Sequence, residues 1–282
     1  MSDIAPPIYV APPVPDAARF GLFSVATMLG DEPDRWKVGV QFEPIPCDAA
    51  DLASYHCDDY NEAGYPLSIR DGEGLVEVEP FLVYGSYGCK TLSRPMEEAE
   101  QRARWHLQLG EERAVERAIA AGGFGSAPTF QGADDLTPVG GAVSVVDGFA
   151  LLEQLLGTDY GGVGVIHAPR LLAPTLSADA IVDRQGARLE TLVGTFVAVG
   201  GGYDLANVGP TGVAPADGEA WLYATSRPVI RRGPVYVTPD EDHHVQKGTN
   251  DVEIVAQRAY AVSWECVLGA VRVRALDLPE GG

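Results

Sequence analysis

Residues 250–276 read NDVEIVAQRAYAVSWECVLGAVRVRAL, and their alternation decides the fold. Side chains on a strand point to opposite faces in turn, so even and odd positions are read separately. From 252 onward the even positions are Val252, Ile254, Ala256, Arg258, Tyr260, Val262, Trp264, Cys266 and Leu268. The odd positions include Gln257, Ala259, Ala261, Ser263 and Glu265, which are small or polar. One face is therefore large and mostly apolar. After Gly269 the phase changes: Val271 and Val273 are odd, while Arg272 and Arg274 are even. A change of one residue is what a β-bulge produces, so a bulge is expected near Gly269. As one straight strand the segment would run on the order of 70 Å at about 3.3 Å per residue. The alternative is two strands broken near Tyr260 or Gly269. Arg258 and Glu265 fall on opposite faces and so are not each other's partners. A charge on a buried face needs pairing, so Arg258 is expected to meet an acidic residue elsewhere, in its own or a neighbouring subunit. Arg258, Gly269 and Trp264 are the structural residues this stretch singles out.

A second long element precedes it. SRPMEEAEQRARWHLQLGEERAVERAIAAGG (93–123) reads as one helix of some 27 residues, or roughly 40 Å at 1.5 Å per residue. Ser93 or Arg94 is the cap position, Pro95 opens the first turn, and Glu97, Glu98 and Glu100 complement the dipole. Met96, Ala99, Ala103 and Leu107 recur at helical spacing, Gly110 allows a bend, and Gly122-Gly123 stops the helix. The large face from Val252 to Leu268 is expected to pack against it.

The remaining chain is irregular and acidic. Residues 1–19 carry five prolines in the first fifteen positions, which predicts an extended arm or tail. Residues 31–80 hold thirteen Asp or Glu against Arg35, Lys37 and Arg70, half of the chain's formal net charge of −20. WKVGVQFEPI and GLVEVEPFLVYG flank this region as strands, so it reads as a long hairpin-like excursion with an acidic tip. A second helix is expected at VSVVDGFALLEQLLG, with Asp147 as its cap. A buried strand follows at GVGVIHAP, then a short helix at PRLLAPTLSA. LETLVGTFVAVGGGY, AWLYATS and PVIRRGPVYV read as further strands.

Composition excludes several classes. Apolar residues make up 46% and charged ones 21%, which predicts a folded chain. Net −20 with three lysines argues against nucleic-acid binding as the main role. No run of eighteen apolar residues suggests a membrane span. Cys47, Cys57, Cys89 and Cys266 form no C-x-x-C pair, and MSDIAPP lacks the features of a leader. The cysteines are therefore expected to be reduced thiols of an intracellular protein.

Catalytic motifs do not assemble. YGSYG has the wrong spacing for a nucleophile elbow, and GGVGVI and VGGGYDLANVG mark turns, not a nucleotide loop. His243 and His244 in DEDHH point opposite ways on an extended chain, and a solvated loop is expected there. Cys47, His56, Cys57 and Cys89 have no ordinary zinc spacing. His167 is expected to be a hydrogen-bonded structural residue. No enzyme activity, metal or cofactor is expected.

The order of elements resembles the major capsid protein of tailed bacteriophages, the Hong Kong 97 type fold shared with encapsulins. ARWHLQLGEERAVERAIAAGG looks like that family's spine helix. GVGVIHAPRLL, LETLVGTFVAVGGGYD and AWLYATSRPVIRRGPVYV look like its central domain and return strands. NDVEIVAQRAYAVSWECVLGAVRVRAL looks like the closing strand of its peripheral domain. The resemblance implies an α+β chain with an N-terminal arm (1–35), an extended loop (36–80), a peripheral domain with the spine helix (81–145 and 226–282) and an axial domain (146–225). It implies a virion shell subunit, assembled in the host cytoplasm into hexamers and pentamers. That shell would enclose double-stranded DNA without binding it specifically, with a decoration, scaffolding or portal protein as further partners and no membrane. An encapsulin-like compartment, or a tail or connector component, is the alternative. Some members of the family cross-link a loop lysine to a neighbour's asparagine. Residues 40–80 hold no lysine, so non-covalent burial is expected to hold this shell.

Overall fold

The computed structural model describes residues 13–30, 34–47, 50, 74–90, 96–122, 128–203, 208–238, 245–246 and 251–276. In chain order these form α1 (Leu22–Val25), β1 (Thr27–Leu29), β2 (Val40–Phe42), β3 (Val76–Val78), β4 (Phe81–Lys90), α2 (Met96–Ala121), β5 (Asp134–Asp135) and α3 (Val145–Leu155). Then come β6 (Gly164–Pro169), α4 (Ala173–Ala178), β7 (Val182–Gln185), β8 (Arg188–Thr191), β9 (Phe196–Gly200), β10 (Glu219–Ser226), β11 (Val229–Arg232), β12 (Tyr236–Thr238), β13 (Val245–Gln246), β14 (Asp251–Ser263) and β15 (Leu268–Arg274).

β14 organises a six-stranded sheet. One edge pairs with β4 from Asp251 to Tyr260. The other pairs in succession with β13, β12 and β11, and β1 joins β11 in parallel. The large face of β14 carries Ile254, Ala256, Tyr260 and Val262, which share a core with Ala103, Leu107, Val115 and Ile119 of α2. Its small face is small for a reason: Ala259 and Ala261 lie under Trp36, from the 3-10 turn Asp34–Val38, and under Val78 of β3. The excursion therefore starts from a two-stranded stem, β2 with β3, seated on the face of the sheet opposite α2. Its acidic stretch from 51 to 73 lies outside the described residues.

A seven-stranded sheet runs β5-β15-β10-β6-β9-β8-β7. β6 is buried at every position, which is why GVIHAP shows no alternation. Phe149, Leu152 and Leu155 of α3 pack on Ile166, Val197, Leu222, Val271 and Val273. Ser144, not Asp147, caps α3. Its hydroxyl accepts from the Asp147 backbone N–H at 3.1 Å and donates to the Asp147 carboxylate at 2.7 Å. LETLVGTFVAVGGGY, read as strand, is two strands, β8 and β9, and the pairing of β8 with β7 in a hairpin was not expected. Gly186, with φ 64°, opens its two-residue turn.

The quoted stretch is thus two strands, not one, and it has no bulge at Gly269. The β10–β15 register runs unbroken from Glu219↔Arg274 to Thr225↔Leu268, with Gly269 opposite Ala224. The change of phase arises at Trp264–Val267, where the chain leaves the six-stranded sheet for the seven-stranded one. β10 and β11 make the same passage beside it, and the Glu265 N–H donates to Ser226 Oγ at 2.7 Å across the two crossings. In β15 the odd residues face α3. Gly269 is among them, and a β-carbon there would overlap the Leu155 side chain, so its glycine serves close packing. Residues 268–274 accordingly lie in one sheet with β6, β9 and β10, and not with β14.

The cysteine expectation is also corrected. Cys47, five residues past β2, and Cys266, in the crossing, form a disulfide with Cα atoms 5.6 Å apart. A separation of 219 residues hides such a pair from any reading by spacing.

Candidate functional site: the polar face of the long helix

α2 runs unbroken through Gly110 and ends at Gly122, whose φ of 70° is left-handed. Its apolar stripe steps by four from Ala99 to Ala103 to Leu107, and the next step is Glu111. That carboxylate is buried. Oε2 accepts from Arg258 Nη1 at 2.8 Å and from the Tyr260 hydroxyl at 2.7 Å, while Oε1 lies 3.9 Å from Arg232 Nη1. Arg258 on the large face of β14 thus meets an acidic residue of its own chain. Both partners are nearly enclosed, with side chains 13% and 11% exposed, so loss of Glu111 strands Arg258, and loss of Arg258 leaves Glu111 only the longer contact to Arg232.

The next residue, Glu112, and Glu116, just over a turn further on, hold the N-terminal segment. Glu112 accepts from the Phe23 N–H at 2.7 Å. Glu116 accepts from the Leu22 N–H at 3.0 Å and the Gly202 N–H at 2.8 Å. Burial pushes the Glu116 carboxyl up to about 7, with the two backbone donors opposing it and Glu112 adding to it. Burial raises Glu112 as well. β-carbons at Gly21, Gly200 or Gly202 would each overlap these carboxylates or the helix itself. The glycines of VGGGYD therefore let the chain close on Glu116.

Beside this hub lies a groove of about 840 Å³ between the N-terminal segment, α2 and the β7–β8 turn. Arg19, Arg104, Arg184, Arg232 and Arg258 line it, facing Glu111 and Glu112. In a chain of net −20 this is a local concentration of arginines, part of which Glu111 neutralises through Arg258 and Arg232.

The whole architecture has counterparts among solved structures. A chain of Microbacterium phage Oxtober96 matches at TM-score 0.57 and 15% identity, over 95% of each chain. The capsid of the native GTA particle matches at TM-score 0.57 and 13% identity, over 96% of this chain and 95% of that one. The holo-SrpI encapsulin complex of Synechococcus elongatus PCC 7942 matches at TM-score 0.57 and 10% identity, over 98% and 96%. The fold is of the Hong Kong 97 type. No family profile and no curated protein matches the sequence itself.

Within this Hong Kong 97 fold, His167 is fully buried. Thr225 Oγ1 donates to the Ser226 carbonyl at 2.7 Å, so it accepts from His167 Nε2 at 2.9 Å; Nδ1 in turn accepts from the Tyr203 hydroxyl at 2.9 Å. Burial drives the imidazole down to about 3, so it stays neutral. Both ring nitrogens are occupied and solvent does not reach them, which leaves no path for acid–base work. Trp264 sits just past β14 with its ring 5.8 Å from Phe130, which itself stacks on Tyr223 at 4.4 Å. Among the described residues no group of three His, Cys, Asp or Glu is placed to hold a metal, and no helix is long and apolar enough to cross a membrane. His56, Cys57, His243 and His244 lie outside the described residues, as does the Cys89 side chain, and Cys47 is committed to Cys266.

The sequence reading missed Glu111, Glu112 and Glu116. A signal for Glu111 was present: it occupies the stripe position between Leu107 and Val115, where only a paired charge is tolerated. Nothing local marked Glu116, whose donors come from residues 22 and 202.

Proposed function

We propose that the chain is a major capsid subunit of a tailed phage, assembling with itself in hexamers and pentamers into an icosahedral shell around double-stranded DNA. One observation carries this reading. The Hong Kong 97 architecture accounts for nearly the whole chain, and it equally spans nearly the whole of the capsid and encapsulin chains it matches. In this reading α2 with the six-stranded sheet forms the peripheral part, and α3 with the seven-stranded sheet forms the axial part. The acidic balance suits a wall that does not trap the packaged duplex. Polar clusters that would otherwise suggest catalysis are accounted for by internal bonding, which supports a structural, non-enzymatic role.

An encapsulin-like compartment is the second reading, favoured by the match to the SrpI encapsulin at the same TM-score. The contents of particles isolated from the native source separate the two. Nuclease-resistant double-stranded DNA inside them supports the phage capsid. Protein cargo without DNA supports the compartment and overturns the capsid reading.

A further inference from the structure

The stem of the excursion is tied to the seam between the two sheets at two adjacent points. The Ile45 N–H donates to Glu265 Oε2 at 2.6 Å, and Cys47 is bonded to Cys266. Glu265 and Cys266 are consecutive residues of the four-residue crossing from β14 to β15. Elsewhere the stem's own ladder is short, three residues of β2 against three of β3. That ladder is seated on the sheet through Trp36, Val78, Ala259 and Ala261, and the tie at the seam anchors the segment after β2 separately. Both cysteines are half-buried at the edge of the apolar core under α3, and neither is enclosed in it.

We propose that Cys47 and Cys266 form a redox latch on the excursion. As thiols they leave the stem held by its ladder, by its seat on Ala259 and Ala261 and by Glu265; as a disulfide they also lock the segment after β2 to the seam. The oxidant is a low-molecular-weight disulfide such as oxidised glutathione. One cysteine, as its thiolate, attacks a sulfur of that disulfide and expels a small thiolate, giving a mixed disulfide. The second cysteine then attacks the protein-side sulfur and expels the second small thiolate. One small disulfide and two protein thiols become one protein disulfide and two small thiols, with the two protons carried away on the products. A subunit made in a reducing cytoplasm would thus be unlatched at synthesis and latched on exposure to oxidising surroundings. The latch itself is a property of the single chain. Its consequence for a shell, commitment of the excursion after assembly, rests on the proposed function.

Protein purified under reducing conditions is equilibrated with oxidised or reduced glutathione, then alkylated. Two readouts follow: non-reducing peptide mapping, and hydrogen exchange at the amides of residues 40–47. The expected result is a Cys47–Cys266 linked peptide in the oxidised sample only, with exchange at those amides slowed at least about fivefold. Cys266→Ser exchanges at the reduced rate in both buffers, and the Cys57→Ser/Cys89→Ser double variant still latches. Folded protein that forms no such linkage with oxidised glutathione overturns the proposal. So does a linked protein whose stem exchanges as fast as Cys266→Ser. Neither outcome depends on whether shells form, so failure of the latch and failure of the capsid reading are told apart.

Discussion

α2 and α3 each cover a sheet, and they do so by opposite chemistry. α3 meets the seven-stranded sheet mainly through an apolar core, with Gly148 and Gly269 bringing helix and strand together and Glu153 accepting from Thr191 and Thr195 only at its margin. α2 meets the six-stranded sheet through a stripe that opens with alanines, and it carries three glutamates that bind Arg258, Tyr260, the α1 backbone and Gly202. Burial of apolar area is indifferent to pH and direction. Buried carboxylates fix particular partners and respond to protons. The difference teaches that one half of the chain is held mainly by apolar packing, while the other joins the N-terminal segment, the long helix and the long strand through specific polar bonds.

Three perturbations break or sharpen this contrast. The largest effect is expected in the apolar half. Leu152→Ala removes a fully buried side chain and should cost about 4 kcal/mol, equally at pH 5 and pH 8, in unfolding of the purified protein. Next, Arg258→Ala leaves the enclosed Glu111 with only the longer 3.9 Å contact to Arg232 and should cost about 3 kcal/mol. An Arg258→Ala protein with wild-type stability would remove the polar hub from the account. The smallest effect is a slope. The folded-state Glu116 carboxyl is raised to about 7, above its unfolded value near 4.5, so its contribution is full below about 4.5 and is lost as pH rises through about 7. Glu112 shifts in the same direction. Wild-type stability should therefore fall across that window, and Glu116→Gln should flatten the fall. A slope unchanged in Glu116→Gln would place the titration elsewhere.

How much of this was legible in the sequence follows from where the determining contacts lie. α2 was legible to within a residue or two, because helical spacing and Gly122 are local signals. β14 was legible in its two faces, because period-two alternation is local too. Its end was not: a phase change looks the same whether a bulge or a change of sheet causes it, and the change of sheet depends on β10 and β11 nearly forty residues earlier. The need for a partner at Arg258 was legible, but the identity of Glu111 required the packing of α2 on β14. The Cys47–Cys266 pair and the Glu116 cradle join residues from distant parts of the chain, and no window of sequence contains either.

The proposed function is assembly into closed shells. Electron microscopy of the purified full chain, expressed alone and held at micromolar concentration, tests it most directly. The account predicts closed particles of uniform size with icosahedral symmetry. A folded protein that stays monomeric, or that forms only open rings or tubes, would contradict it.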